Sequence, residues 1–205
     1  MTEAIFGLVG VLIGSAISWL QSYWLNRQVA KKAAQYLAIR VVCIFDKYLE
    51  DCVSVVKDDG LSCGQRTPDG CLKPQVSSPG APVFPDDVDW KSISHNLMYE
   101  ILSFPSDVDA ADRSIAFTAD VVASPPDYEE FFEDRAFHYA QFGLRAYELA
   151  KRLRKTYEIP AKEYGEWNPV SELEGELKKI KETRAHRGKR NAELMASMAQ
   201  KETAV

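Results

Sequence analysis

YEEFFEDRAFHYAQFGLRAYELAKRLRKTY, residues 128–157, sets the fold class. Phe132, Ala136, Tyr139, Gly143, Ala146, Ala150, Leu153 and Tyr157 recur at alternating steps of four and three. That spacing is the seam of a helix packed on another helix. Small residues at the centre of the seam predict a close approach by the partner. Asp127, Glu129 and Glu130 sit at its start and Lys151, Arg152, Arg154 and Lys155 at its end, which suits the helix dipole. Asp127 with Glu130 three later is a capping pattern, and Pro160 closes the element.

The partner is expected in residues 28–56. There Ala30, Ala34, Leu37, Val41, Ile44, Tyr48, Cys52 and Val55 follow nearly the same alternation. Apolar residues spread around most of this helix from Tyr36 to Val56, which predicts a central place in the core. No proline interrupts the chain from Thr2 to Val56, so one long helix is expected, with a bend near Asn26.

Upstream lies AIFGLVGVLIGSAISWLQSYWLN, residues 4–26, without a charged side chain. Its apolar heart, Ala4 to Leu20, reaches the roughly 17–25 residues a membrane-spanning helix needs. Trp19, Tyr23 and Trp24 cluster at its end, where amphipathic rings favour the headgroup level. Arg27, Lys31, Lys32 and Arg40 follow, against only Glu3 and the α-amine on the other side. The positive-inside bias therefore places the N-terminus outside and the rest in the cytoplasm. A signal peptide would want a basic start and a small-residue cleavage site, and neither is present. Gly10, Gly14 and Ser18 recur at four-residue spacing, with Gly7 one turn before. This small-xxx-small pattern lets two helix backbones approach closely in lipid, and it points to self-association or to pairing with another membrane protein. The competing explanation is that glycine is simply frequent in membrane helices.

Charge is unevenly spread. Residues 86–134 hold 13 acids and 2 bases, a net of −11, and residues 135–205 hold 15 bases and 10 acids, a net of +5. Such halves pair within a domain or face different partners. Cys43 and Cys52 lie in the apolar helical run, and Cys63 and Cys71 in a Gly/Pro-rich stretch. Spacings of nine and eight residues do not suit a zinc site, and a cytoplasmic location keeps thiols reduced.

Residues 57–88 are dense in Gly, Pro, Ser and Asp and read as a long loop. Trp90, Ile93, Leu97 and Ile101 then predict an amphipathic helix closed by Phe104-Pro105. A second helix is expected from Ser106, with Val108, Ile115 and Val122 on one face, ending at Pro125-Pro126. Asn168-Pro169 is an N-cap followed by proline at the first helical position, leading the stripe Val170, Leu173, Leu177 and Ile180. After Ile180 the stripe fades, and a helix that leaves the bundle and frays is expected.

No catalytic motif stands out. Glu130, Asp134 and His138 share a helix face, but the Glu-x-x-His spacing of a carboxylate-bridged metal site is absent. No cofactor is implied. Lys178, Lys179, Lys181, Arg184, Arg187, Lys189 and Arg190 form a basic cluster with one acid, Glu182, inside it. Three roles compete for it: contact with anionic lipid, non-specific phosphate binding to nucleic acid, and pairing with the acidic middle region. Aromatic interleaving for base stacking is missing, which disfavours nucleic acid.

Two stretches, GLVGVLIGSAISWLQSYW at 7–24 and AYELAKRLRKTYEIP at 146–160, resemble bacterial single-pass inner-membrane proteins with a helical cytoplasmic domain. The resemblance implies an inner-membrane location and brings no catalytic residues with it.

The expectation is an all-α chain whose N-terminal transmembrane helix continues into a cytoplasmic helical bundle. Residues 1–27 are the anchor, 28–160 the bundle, and 161–205 a C-terminal amphipathic to basic helix and tail. The expected role is a self-associating membrane scaffold or interaction protein. The alternative is a soluble oligomeric binding module with its N-terminal helix buried, and third an enzyme without a recognisable motif.

Overall fold

The computed structural model describes the backbone of residues 2–202 and the side chains of residues 14–198. Four long helices account for the fold: α1 (Thr2–Val56), α2 (His95–Phe117), α3 (Glu129–Tyr157) and α4 (Pro169–Glu202). A 3-10 turn, Trp90–Ser92, precedes α2, and a π turn, Thr118–Val122, follows it. Among the described residues there is no β-strand.

α3 is the central element, and the other three helices run antiparallel to it. Its seam meets α1 over their most extensive contact. Gln35 Nε2 donates to the Tyr157 carbonyl at 3.2 Å, Asp46 pairs with Arg154 at 2.5 Å, and Gly143 faces Cys52 and Leu49. Against α2 the ladder is Arg152 with Glu100, Arg145 with Asp107 at 2.5 Å, and Tyr139 O–H donating to Asp112 at 2.6 Å. Against α4, Leu173 sits on Gly143 and Arg184 reaches Glu133. Gly143 is where α1, α3 and α4 converge: a Cβ there would stand 2.4 Å from Leu173 Cδ1 and 3.0 Å from Cys52 Cβ. The close approach expected of the seam's small centre is therefore present.

Phe104 anchors the core, with ring contacts to Phe45 at 5.2 Å, Tyr48 at 5.4 Å and Phe142 at 5.7 Å. This explains why the chain does not break at Phe104-Pro105, contrary to the expectation of two helices. Ile101, Phe104, Val108, Ala111 and Ile115 are all buried on one face of α2. Keeping that face continuous outweighs the one helical hydrogen bond lost at Pro105. The helix also starts later than expected, at His95, since Trp90–Ser92 is a separate turn capped by Asp89. Val122 is exposed rather than on the buried face. At the start of α3 the expected Asp127 cap is replaced by Tyr128 in the left-handed conformation, and Asp127 pairs with Arg66 instead.

The long loop is ordered by one carboxylate. Asp58 accepts from the backbone N–H groups of Gly60 at 3.0 Å and of Gln75 and Val76 at 2.9 Å, and from Arg135 at 3.0 Å. Gly60 takes φ +75 where a Cβ would press 2.5 Å from the Phe132 ring, so glycine serves both turn and packing there. Phe84 then lies edge-on to Phe45 at 5.5 Å, which pins the far end of the loop to α1.

Asn168 Oδ1 accepts from the Val170 N–H at 2.9 Å, as its capping position requires. α4 leaves the bundle as expected, but about two turns later than Ile180: from Gly188 to Met198 its side chains are exposed. Arg184 and Arg187 hold it to Glu133 at 2.7 and 2.6 Å, and the helix runs on to Glu202.

Candidate self-association and membrane-interface surfaces

Among the described residues no helix is long and apolar enough to cross a membrane. The side chains of residues 4–13, ten of the 23 residues in 4–26, lie outside the described residues, and so do the surroundings of Gly7 and Gly10.

The visible part of α1 has two apolar faces. One is buried: Ala34, Leu37, Val41, Phe45, Tyr48 and Cys52 pack into the core. The opposite one is bare. Leu25, Val29, Tyr36 and Ile39 are 55%, 66%, 55% and 45% exposed, and Cys43 is exposed too. Around a helix of about 100° per residue, these five fall in the same sector of about 100° as Gly14, Ser18 and Ser22. The sector runs from Gly14 to Cys43 and carries two charges, Lys32 within it and Arg40 at its edge, where Arg40 pairs with Asp87. Among the described residues no packing neighbour lies within 4 Å of where a Gly14 Cβ would be. The all-round apolar character of residues 36–56 thus reflects two faces, of which only one is core.

Trp19, Tyr23 and Trp24 are all largely exposed, with Trp19 and Tyr23 stacked at 5.9 Å between ring centroids. The rings therefore point to more than one side of α1, and Trp24 faces the end of the bundle, sharing a cleft with Ser92 and Tyr157.

The basic cluster sits elsewhere. Arg184 and Arg187 pair with Glu133, and Arg184 also reaches Asp134 at 3.3 Å, joining the basic end to the acidic middle region. Lys178 and Lys179 pair along α4 with Glu182 and Glu176. Glu133 lies at the Val56 end of the bundle, about 45 Å of helix from Asn26. The cluster is thus remote from the aromatic belt.

Other polar groups read as structure. Asp134 is shared by Arg184, Thr118 and His138, so the Glu130–Asp134–His138 face is an ion-pair surface. Among the described residues no group of three His, Cys, Asp or Glu side chains could hold a metal. Tyr48, Cys52, Tyr139 and Asp112 meet at the junction of α1, α2 and α3, where burial pushes the two phenols and the thiol up and keeps them neutral. A cleft of about 540 Å³ between the loop and α3 is lined by Thr67, Asp69, Cys71, Tyr128 and Phe131 among others, and there hydrogen bonds from Thr67 and Cys71 hold the exposed Asp69 carboxyl below the ordinary carboxylate range. The outer face of α1 was missed in the sequence because periodicity reports that a face is apolar, not whether it is covered.

Compared with family models, with curated proteins and with solved structures, the chain matches none.

Proposed function

We propose that the chain is a membrane-anchored scaffold that self-associates along the outer face of α1. Residues 1–27 span the bilayer with the N-terminus outside, and the bundle stands in the cytoplasm. The observation that carries this is the bare sector Leu25, Val29, Tyr36, Ile39 and Cys43, in line with Gly14 and Ser18 on one helix. Small residues suit close helix approach in lipid, and exposed apolar residues suit a seam in water. One helix offers both to the same partner. Two copies in one membrane run parallel, so a two-fold pair sets each residue of the sector against itself.

The basic cluster on α4 enters this reading as the bundle's own counter-charge, through Arg184 and Arg187, and not as a lipid contact. Carbonate extraction of membranes from expressing cells, with protease added outside intact spheroplasts, tests the anchor. Retention in the pellet with a protected C-terminal part is expected. Release into the supernatant would leave a soluble oligomer with residues 4–26 buried between copies.

A further inference from the structure

At the Asn26 end of the bundle, a cleft of about 480 Å³ opens between α1, the 3-10 turn and the C-terminal end of α3. It is lined by Trp24, Arg27, Gln28, Lys31, Ser92 and Tyr157. Its exposed lining is mostly carbon, with two cations at the mouth. Arg27 makes no ion pair among the described residues. Lys31 has one counter-charge, Glu158, at 3.6 Å with both side chains largely in water, a contact of little strength.

We propose that this cleft holds the headgroup of an anionic phospholipid, its phosphodiester on Arg27 and Lys31 and its glycerol end against Trp24 and Tyr157. The inference rests on the anchored reading above and adds a ligand to it. Depth argues for a lipid. From Trp24 to Lys31 the helix rises about 10 Å, little more than one headgroup layer of about 5–8 Å. Trp24 belongs to the aromatic belt, so the cleft begins where the acyl region ends. Charge argues for an anionic headgroup: two bases face one loosely held acid. The apolar walls argue against free phosphate, which has nothing to place against two aromatic rings. The site is distinct from the basic cluster of α4, which lies at the other end of the bundle.

The full chain is reconstituted in phosphatidylcholine nanodiscs carrying trace spin-labelled phosphatidylglycerol or spin-labelled phosphatidylcholine. The immobilised fraction of each label gives the selectivity. Selectivity for phosphatidylglycerol is expected, falling about three- to tenfold in Arg27→Gln/Lys31→Gln. A second variant, Gln28→Trp, fills the cleft from an exposed position and keeps both charges. It should lower selectivity as far, and excess inorganic phosphate should leave the wild-type value unchanged. Loss in the double variant alone would mean a diffuse basic surface and would overturn the cleft. Equal competition by phosphate would overturn the lipid assignment. A chain that enters the nanodisc without selectivity overturns the site and leaves the anchor standing. A chain that does not enter overturns both.

Discussion

Asp58 and Arg135, 77 positions apart in the chain, meet at 3.0 Å with both side chains almost wholly removed from water. The guanidinium also donates to the Val76 carbonyl, so one arginine on α3 grips both ends of the segment 58–76. Loops of this length are usually disordered or functional, and here a buried ion pair with three backbone donors supplies the order. The two substitutions are not equivalent. Arg135→Met leaves the carboxylate its three N–H donors, whereas Asp58→Ala strands those donors and the guanidinium together. Breaking such a buried pair costs about 3–5 kcal/mol, with Asp58→Ala at the upper end. Thermal melts of the helical signal in detergent would rank them, and equal melts would contradict the hub role of Asp58.

Acid should open the same loop. Burial alone pushes the Asp58 carboxyl up, but the N–H groups of Val76, Gly60 and Gln75 and the Arg135 guanidinium outweigh it and hold the group below the ordinary carboxylate range. A carboxyl depressed in the folded state contributes stability that is present above its unfolded value of 3.8 and is lost as pH falls through the folded value. Melts taken from pH 6 downward should decline most steeply below about pH 4. Asp58→Asn should flatten that decline, and an unchanged acid limb would remove Asp58 as its source.

Gly143 is a close contact between three helices, with Leu173 and Cys52 standing where its Cβ would go. Gly143→Ala should cost about 1–3 kcal/mol by overpacking. Leu173→Ala leaves a cavity and should cost about 2–5 kcal/mol. Because the new methyl enters the space Leu173 vacates, the double variant should lose less than the sum. Additive losses would show that Cys52, not Leu173, is what the methyl meets.

α4 beyond Ile180 is held by half-exposed ion pairs, so its docking should weaken with salt. Glu133→Gln removes the negative charge with which both Arg184 and Arg187 pair. Each such pair contributes up to about 1 kcal/mol, so trypsin should cut near residues 184–190 several-fold faster in the variant. An unchanged rate would mean that Ile180 and the Arg184–Asp134 pair keep the helix docked without Glu133.

Self-association should be separable from folding. Gly14 has open space where a side chain would go, so Gly14→Leu should leave the melt unchanged while weakening the dimer. Ile39→Glu should weaken it about tenfold or more, and Lys32→Leu should tighten it by removing a like-charge contact from the seam. Sedimentation in detergent reads all three, and a Lys32→Leu dimer no tighter than wild type would argue that the sector does not face itself.

What was legible follows from what periodicity encodes. The α3 seam, its α1 partner and the Asn168 cap are local patterns repeated over several turns, and each is present. Pro105 was misread because the signal that overrides it, the burial of Phe104 against three aromatic rings, comes from residues distant in the chain. The Asp58–Arg135 pair was invisible for the same reason, since neither residue stands in a motif. The docking of α4 past Ile180 depends on arginines reading as surface charge until Glu133 is brought beneath them. The bare face of α1 could not be told from core, because exposure is a property of the assembled fold.

The most direct test uses Cys43, which is exposed in the outer sector, while Cys52 is buried and kept as an unreactive thiol by that burial. With Cys63→Ser and Cys71→Ser in place, carbonate-washed membranes are treated with a mild oxidant and run without reductant. A disulfide-linked dimer is expected that disappears in Cys43→Ser and fades in Gly14→Leu. A chain that stays in the pellet but yields only monomer would contradict self-association along α1, and a chain found in the wash would contradict the anchor itself.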